Sequence, residues 1–445
     1  MIENDAFKLL LINLFHLNPD DIANILCTTF NKMMVLVVTL TDKHQACPYC
    51  GFTAPKIKEY VTKEITHSAL TTQKCIIKYR ARRYKCSCCG KTYYEFNPFV
   101  FKSQKISILT VHNILKDLKD FNETFTSVAR RYHVSPTSVS TIFDKHVDIG
   151  RNPLPEIINF DEVYAFKSEK SKYVCVLLDF KKQIPVDVLP NRKKEYLLNY
   201  FQKIPLEERK KVKYACSDMY EVYRDVVHKV FPSCCMLLDY FHLSQDFHRK
   251  MNEVRIKVMK GYKDNKASDE YYLLKKFNWL LFKNPEDEDK YGRLFDVERE
   301  RKYNSHFKSY MNYYDLRKKL LEINNDLTIC YSLKLELVDF YSKSTIDNAK
   351  VNLENLIRSC IDTNIDEMIA FSNNLINWKQ EIINSFTIVG TEYKVEADKG
   401  QVVVCNKKVN NAIIENRNKI IKCIKNNANG YTNWLRFRNR VMYVL

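Results

Sequence analysis

Apolar and polar positions follow two different periods along this chain. Between Ile157 and Leu238 the apolar residues fall in strand-length runs cut by polar turns: Ile157–Phe160, Tyr173–Leu178, Ile184–Leu189, Lys213–Ser217 and Cys234–Leu238. Short runs rich in Val, Ile and Leu predict strands. Two stretches with helical spacing, Lys193–Phe201 and Met219–Val230, flank the fourth run. The predicted order is therefore three strands in an antiparallel meander, then helix, strand, helix, strand. From Leu243 to Phe386 nearly every window has helical periodicity with few breakers, which predicts an all-helical segment. Residues 1–30 read as one or two amphipathic helices, and 31–100 as β-rich runs mixed with paired cysteines. Residues 103–148 read as a run of short helices, and 408–445 as a basic amphipathic helix with an aromatic tail.

The strand order is that of the RNase H-like fold, in which the first and fourth strands are neighbours. Acidic residues close both of those runs: Asp161, followed by Glu162, and Asp218. A carboxylate at a strand end ordinarily forms a turn or caps a helix, so it is the pairing on strands one and four that singles these out. A third acid is expected from a later helix, and Glu415 lies in NNAIIENRNKIIK, with Ile413, Ile420 and Ile421 broadly on one side. Hard cations such as Mg²⁺ or Mn²⁺ take carboxylate oxygens and keep waters. A pair of them roughly 3.5–4 Å apart suits in-line phosphoryl displacement. Two rivals remain at this point. Asp179 ends the second strand and reads as a turn former. Asp239 precedes Phe241-His242; with His242 it reads as a supporting site residue, or as the replacement for Asp218 under another strand order.

Cys47-Pro-Tyr-Cys50-Gly51 and Cys86-Ser-Cys-Cys89-Gly90 are two Cys-x2-Cys knuckles, each followed by glycine. Such knuckles aim two sulfurs at one ion, and the glycine permits a left-handed residue behind the second ligand. Four thiolates make a closed tetrahedral site that suits structural Zn²⁺. Cys88 falls outside the spacing, and His44 and His67 would be substitutes for which four thiolates leave no need. Lys78, Arg80, Arg82, Arg83 and Lys85 stand on the strand entering the second knuckle, a phosphate-contacting surface or an ordinary solvated face.

Residues 123–148 predict a helix-turn-helix. Phe125 and Val128-Ala129 begin the first helix and His133-Val134 forms the turn. Ser135 caps the second helix, with Pro136 at its first position. Val139, Ile142 and Phe143 would be buried, leaving Thr137, Ser138 and Thr141 outward as groove-reading side chains, with Arg130 and Arg131 beside the turn near phosphate. Lys419, Lys422 and Lys425 recur along the terminal helix, where they would hold phosphates beside Glu415 or form a solvated face.

Charge fits these motifs. Lys and Arg number 71 against 53 Asp and Glu, a formal net charge of +18. A basic surface aids solubility in any protein, but beside these motifs it implies a polyanion partner. No apolar run approaches the roughly 20 residues needed to span a bilayer, and the first residues lack a signal-peptide pattern. The 15 cysteines are then expected reduced, in a cytoplasmic protein without a membrane partner. The fold class read here is mixed α/β: an RNase H-like sheet interrupted by an all-helical insertion and preceded by a zinc-finger module and a helix-turn-helix. The boundaries are 1–100 for the zinc-bearing region and 101–150 for the helix-turn-helix. The core then has a first part, 151–242, an insertion, 243–400, and a C-terminal part, 401–445.

Over roughly 40–445 the chain resembles the ISL-three group of bacterial insertion-sequence transposases. The resemblance is carried by both knuckles, Asp161-Glu162, Ser217-Asp218-Met219 with Tyr223, and Phe231-Pro232. It also rests on Asp239-Tyr-Phe-His242, on Glu415, Asn418, Lys419 and Lys422, and on Gly430-Tyr431 with Phe437-Arg438 and Arg440. Asn416 stands where the family usually has Gly, and Asn426 where it has a basic residue. The resemblance implies a DDE transposase with Asp161, Asp218 and Glu415 as its catalytic, magnesium-binding triad. It would cut and join DNA at terminal inverted repeats, as a homodimer on double-stranded DNA associated with the nucleoid. The rival functions are a DNA-binding regulator built on an inactive transposase and a stand-alone RNase H-like nuclease.

Overall fold

The structure is a computed structural model that describes residues 2–43, 46–166, 171–395 and 402–445. It divides into two compact units: Met1–Arg151 with Tyr164–Lys172 and Lys419–Leu445, and Asn152–Val163 with Tyr173–Asn418.

The first unit opens with helix α1 (Ile2–Leu14), followed by strands β1 (Ile22–Phe30), β2 (Met33–Leu40), β3 (Lys56–Thr66), β4 (Cys75–Lys85) and β5 (Thr92–Tyr94). The sheet order is β1-β2-β4-β3, with β5 paired to β4. Leu11, Phe15, Ile25, Leu36 and Ile77 pack its core. The expectation of helix throughout 1–30 is corrected here: residues 22–30 are a strand. Asn31 and Lys32 adopt left-handed φ of 48° and 61°, and Phe30 registers with Met33. Two residues with φ > 0 are what a tight hairpin needs.

Helices α2 (Ile108–Asp117), α3 (Phe125–Arg131) and α4 (Pro136–His146) follow. Ser135 accepts from the Ser138 amide and Pro136 opens α4, while Thr124 and Ser127 cap α3 reciprocally. Between them His133 takes φ 53°. Val128, Val139 and Phe143 form the centre of this cluster, and Tyr443 packs on it. The last helix, Trp434–Val444, is bound to the same bundle. Arg436 grips Asp144 with two nitrogens, at 2.9 and 2.6 Å. The buried Arg440 donates to the carbonyls of Asp120 and Glu123 at 2.8 and 2.9 Å.

The second unit is built on strands β6 (Ile157–Val163), β7 (Val174–Asp179), β8 (Pro185–Leu189), β9 (Tyr214–Ser217) and β10 (Cys235–Leu238), with helices α5 (Lys194–Gln202), α6 (Leu206–Arg209) and α7 (Glu221–Val230) between them. The sheet order is β10-β9-β6-β7-β8. β6, β7 and β8 are antiparallel, and β9 and β10 run parallel to β6. The first and fourth strands of the unit are thus neighbours. Every residue of β7 and β8 is buried, Asp179 and Asp187 included. Leu197, Phe201, Tyr223 and Val227 pack with Phe160 and Leu177. Ile157, Cys216, Leu237 and Val409 form a second cluster, with Ile413 beside it.

Helix α8 (Tyr240–Lys260) opens a long, mainly helical stretch with its own core around Phe247, Leu333, Leu353 and Phe371. It is not all-helical, which corrects the sequence reading. Glu288–Asp289 pairs with Gly292–Arg293, Lys302–Asn304 with Ser309–Met311, and Ile388–Val395 with Val402–Lys408. Residues 284–312 bury few apolar side chains, among them Leu294, Phe295 and Met311, too few for a helical stripe. Gly292 and Lys308 take φ of 95° and 49°, which turns rather than helices demand. Residues 396–401 lie outside the described residues.

Candidate functional site: an acidic cluster and a four-thiol cluster

The acidic cluster lies in the second unit. Asp161 is the fifth residue of β6 and is buried. Its Oδ1 accepts from the Glu162 amide at 2.8 Å and its Oδ2 from the Asn418 side chain at 2.8 Å. Asp218 follows the last residue of β9, and its buried Oδ1 has no hydrogen-bond partner. Asp239 follows β10 and stands at the N-cap of α8. His242, one turn on, places Nε2 3.8 Å from Asp239 and 3.9 Å from Glu415; that nitrogen too is buried without a hydrogen-bond partner.

Glu415 arrives on the terminal helix Ala412–Asn427, and the sequence dictates how. Asn411, Glu415 and Asn418 are spaced four and three residues apart, which places them on one helical face. Asn159 and Asp161 are two apart on β6, so they share a sheet face. Asn159 donates to Asn411 Oδ1 at 2.7 Å and to the Asn410 carbonyl at 2.8 Å, and Asn418 reaches Asp161. Helix and strand are thus pinned at two points, with Glu415 between them. The buried spine of the helix is Ile414, Ile421 and Ile424. That differs from the expected Ile413, Ile420 and Ile421, of which only Ile421 is fully buried.

Burial dominates the electrostatics. Desolvation pushes the Asp161 carboxyl up to about 7, and the nearby charges of Glu162 and Asp218 add to the rise. Desolvation also raises Asp218, Asp239 and Glu162. Glu162 is partly compensated by an ion pair with Arg192 and by the Tyr223 hydroxyl at 3.2 Å. Arg192 is itself held 4.7 and 4.5 Å from the ring centres of Tyr173 and Tyr220.

Four carboxylates that resist ionisation, an acceptor oxygen with no donor and an imidazole nitrogen between two acids fit a cation. Ligand atoms of Asp239, His242 and Glu415 lie within 4.8 Å of one another, whereas Asp161 and Asp218, expected to share an ion with Glu415, are not in that group. Asp179 turns out to be a turn former, its Oδ1 accepting from the amides of Lys181 and Lys182. The sequence reading had no signal for Arg192, Asn159 or Asn411, whose partners are remote in the chain.

The cluster fixes a pH dependence. The unfolded chain releases these protons near the ordinary carboxylate value, whereas folded Asp161 keeps its proton up to about 7. The folded state therefore binds more protons between the two values, and its stability falls as pH rises through that window. Asp161 alone contributes on the order of 4 kcal/mol to that fall. In magnesium-free buffer the melting temperature is expected to drop from about pH 5 to about pH 8, and added Mg²⁺ to restore it chiefly at the higher pH. A melting temperature that stays level or climbs over this range would show that the acids are not desolvated.

The four-thiol cluster lies in the first unit. Cys47, Cys50, Cys86 and Cys89 bring their sulfurs within 4.8 Å of one another, with Cys47–Cys89 at 3.7 Å and Cys50–Cys86 at 3.5 Å. A tetrahedron of Zn–S bonds of about 2.3 Å has edges of about 3.8 Å, so the spacing suits one such ion. Gly51 and Gly90 take φ of 73° and 70°, the conformation for which glycine is expected there. The Cys89 amide points at the Cys86 sulfur and brings that thiol down to about 7. Cys88 is exposed. His67 is occupied elsewhere, bonded to Ser107 and the Phe15 carbonyl, and His44 lies outside the described residues.

The basic candidates separate into two sets. Arg82 pairs with the buried Glu95 and also reaches the Leu40 carbonyl at 3.1 Å, and Arg83 pairs with Glu59. Arg131 is clamped by Asp117 and Glu123. These three hold the fold together. Arg130, Lys419 and Lys422 are exposed. Thr137 and Thr141 are exposed as expected, whereas Ser138 is half-buried and bonds the Ser135 hydroxyl at 2.8 Å. All three line a groove of about 540 Å³ that also takes in Lys105 and Lys145.

Comparison with known proteins sets the class: a family model described as transposase matches residues 158–397, over half of the chain. The chain belongs to that family, the ISL3 DDE transposases. It is also similar to the transposase for insertion sequence element IS1001 of Bordetella parapertussis. The two are 19% identical over 393 residues, covering 88% of this chain and 86% of that protein. No helix among the described residues is long and apolar enough to cross a membrane.

Proposed function

We propose that this transposase binds the terminal inverted repeats of its element and catalyses magnesium-dependent strand cleavage and strand transfer. Asp161, Asp218 and Glu415 would act as its catalytic carboxylates on an RNase H-like core. The observation that carries the reading is the buried acidic cluster around His242, to which β6, β9, β10 and the terminal helix all contribute. When bound there, Mg²⁺ or Mn²⁺ would activate water and neutralise charge on the phosphate under attack. Asn418 fixes one oxygen of Asp161, and Arg192 turns Glu162 aside into an ion pair. His242 faces Asp239 and Glu415 and is placed to hold a proton between them or to join them on a cation.

In this reading the four thiols hold a structural Zn²⁺. The helix-turn-helix presents Thr137 and Thr141 to a major groove, with Arg130, Lys419 and Lys422 on phosphates. A homodimer would pair the two ends of the element on the nucleoid DNA of a bacterial cytoplasm. The test is incubation with a duplex carrying the element's end in Mg²⁺. The expected product is a cut releasing a 3′-hydroxyl, which is then joined to a target. Glu415→Gln is expected to keep end binding and lose cutting by at least about 10²-fold. Undiminished cutting by that variant would discard the triad. Wild-type binding without cutting would identify a regulator, and cutting without preference for ends would identify a plain nuclease.

A further inference from the structure

A second polar cavity of the first unit enters the reading above only through Arg130. It measures about 500 Å³ and is formed by the start of α3 and the segment Asn427–Asn433. These two pieces are almost 300 residues apart in the chain. Its lining carries the guanidinium groups of Arg130 and Arg436, the carboxamides of Asn427, Asn429 and Asn433, and the Thr126 hydroxyl, with no Asp or Glu among the lining residues. Donors without a carboxylate favour an anion.

The charge at the cavity comes from one residue. Arg436 is neutralised by its two-nitrogen grip on Asp144. Arg131 is held by Asp117 and Glu123, and Arg440 by two carbonyls. Arg130 alone of these four is exposed and makes no ion pair among the described residues. The side chains of Thr126, Asn427 and Asn429 likewise have no hydrogen-bond partner among the described residues. The segment is nevertheless held in place. Tyr431 meets Phe125 at 6.3 Å and Phe437 at 5.2 Å, Phe437 is fully buried, and the Asn433 side chain accepts from the Arg436 amide. Donors fixed in advance lose little entropy on binding.

We propose that this cavity is a phosphodiester site, and that the C-terminal segment Asn427–Asn433 is a DNA-backbone contact as well as a brace for the helices beneath it. The inference rests on the DNA-binding reading given under Proposed function and extends it to a segment remote in sequence from the helix-turn-helix but packed on its first helix. A backbone contact is blind to sequence. The site should therefore add equal affinity for terminal-repeat and unrelated duplexes.

Full-length protein is titrated with both duplexes over a range of salt. Arg130→Ala is expected to weaken both about tenfold and to lower the slope of log K against log salt by about one. Asn427→Ala with Asn429→Gly, where glycine keeps the left-handed φ of 54°, is expected to weaken both about fivefold with the slope unchanged. Combined with Arg130→Ala it should cost less than the sum, because both act on one phosphate. Asn427→Asp with Asn429→Asp keeps side-chain size but brings negative charge, and is expected to weaken both by about 100-fold. Wild-type binding by both asparagine pairs, beside a loss in Arg130→Ala, would overturn the proposal: Arg130 would then reach the phosphate alone. Absence of binding to either duplex by the wild type would instead overturn the DNA-binding reading on which the proposal stands.

Discussion

Asp218→Asn is expected to abolish magnesium-dependent cleavage, by at least about 10³-fold, while leaving the metal-free protein as stable as the wild type or more so. Both halves follow from one atom. Asp218 Oδ1 is buried without a donor, and desolvation raises the carboxyl above its ordinary value. Near neutral pH the charge is therefore a cost to the folded state, which an amide of the same shape removes. An amide binds a hard cation poorly, so under the proposed function the cleavage is expected to be lost together with the cost. The measurement is a melting curve in magnesium-free buffer beside a cleavage assay on end-bearing DNA. Asp218→Asn protein that cuts normally would remove this residue from the site. Protein that no longer cuts but melts far below the wild type would make Asp218 a structural residue. The same pair of measurements on Asp179→Asn should separate the two aspartates. Asp179 caps a turn through two amides, so its loss should lower stability and leave catalysis nearly intact.

The second large effect is expected at the thiol cluster. Structural zinc contributes apparent binding energies of about 10–16 kcal/mol in small zinc modules, far more than the packing here can replace. The apolar cluster at the knuckles comprises Cys47, Tyr84, Cys86 and Tyr93, with Cys89 beside it. The main sheet has a separate and larger core running from Leu11 to Phe99. If the four sulfurs hold zinc as proposed, its removal should therefore unfold the knuckles and spare the sheet. One zinc per chain is expected by metal analysis. Chelation, or Cys47→Ser with Cys86→Ser, should speed amide exchange at Cys47, Gly51, Cys86 and Gly90 by at least about 10³-fold. The β2–β4 pairing should stay protected, and end binding should weaken. A chelated protein whose knuckle amides exchange as slowly as before would show that the four sulfurs need no ion.

Much of this was legible where the determining interactions are local. Ser135-Pro136 announced the start of α4, the glycines after each knuckle announced left-handed residues, and the unbroken apolar runs announced β6 to β10 in their order. What stayed hidden depends on partners far along the chain. Arg130 and Arg131 are equivalent in the sequence, yet the fold gives Arg131 two carboxylates and leaves Arg130 exposed. Arg82 looked like a phosphate ligand until Glu95, 13 residues on, was seen to take it. Nothing local marks Asn159 as the partner of Asn411. The C-terminal aromatic residues were legible as a motif but not as part of the bundle formed by α2, α3 and α4. The strand at 22–30 was missed because its two-residue turn, Asn31-Lys32, lacks the glycine that usually advertises such hairpins.

The Asn159–Asn411 pairing joins positions 252 residues apart, and it delays the joining of helix and strand during synthesis. A growing chain holds Asp161, Asp218 and Asp239 long before Glu415 has left the ribosome. The central sheet can form early, but the acidic cluster stays open until residues 411–418 dock onto the first strand of that sheet. Translation halted before residue 411 would thus yield a sheet without the helix that brings Glu415 to Asp239 and His242.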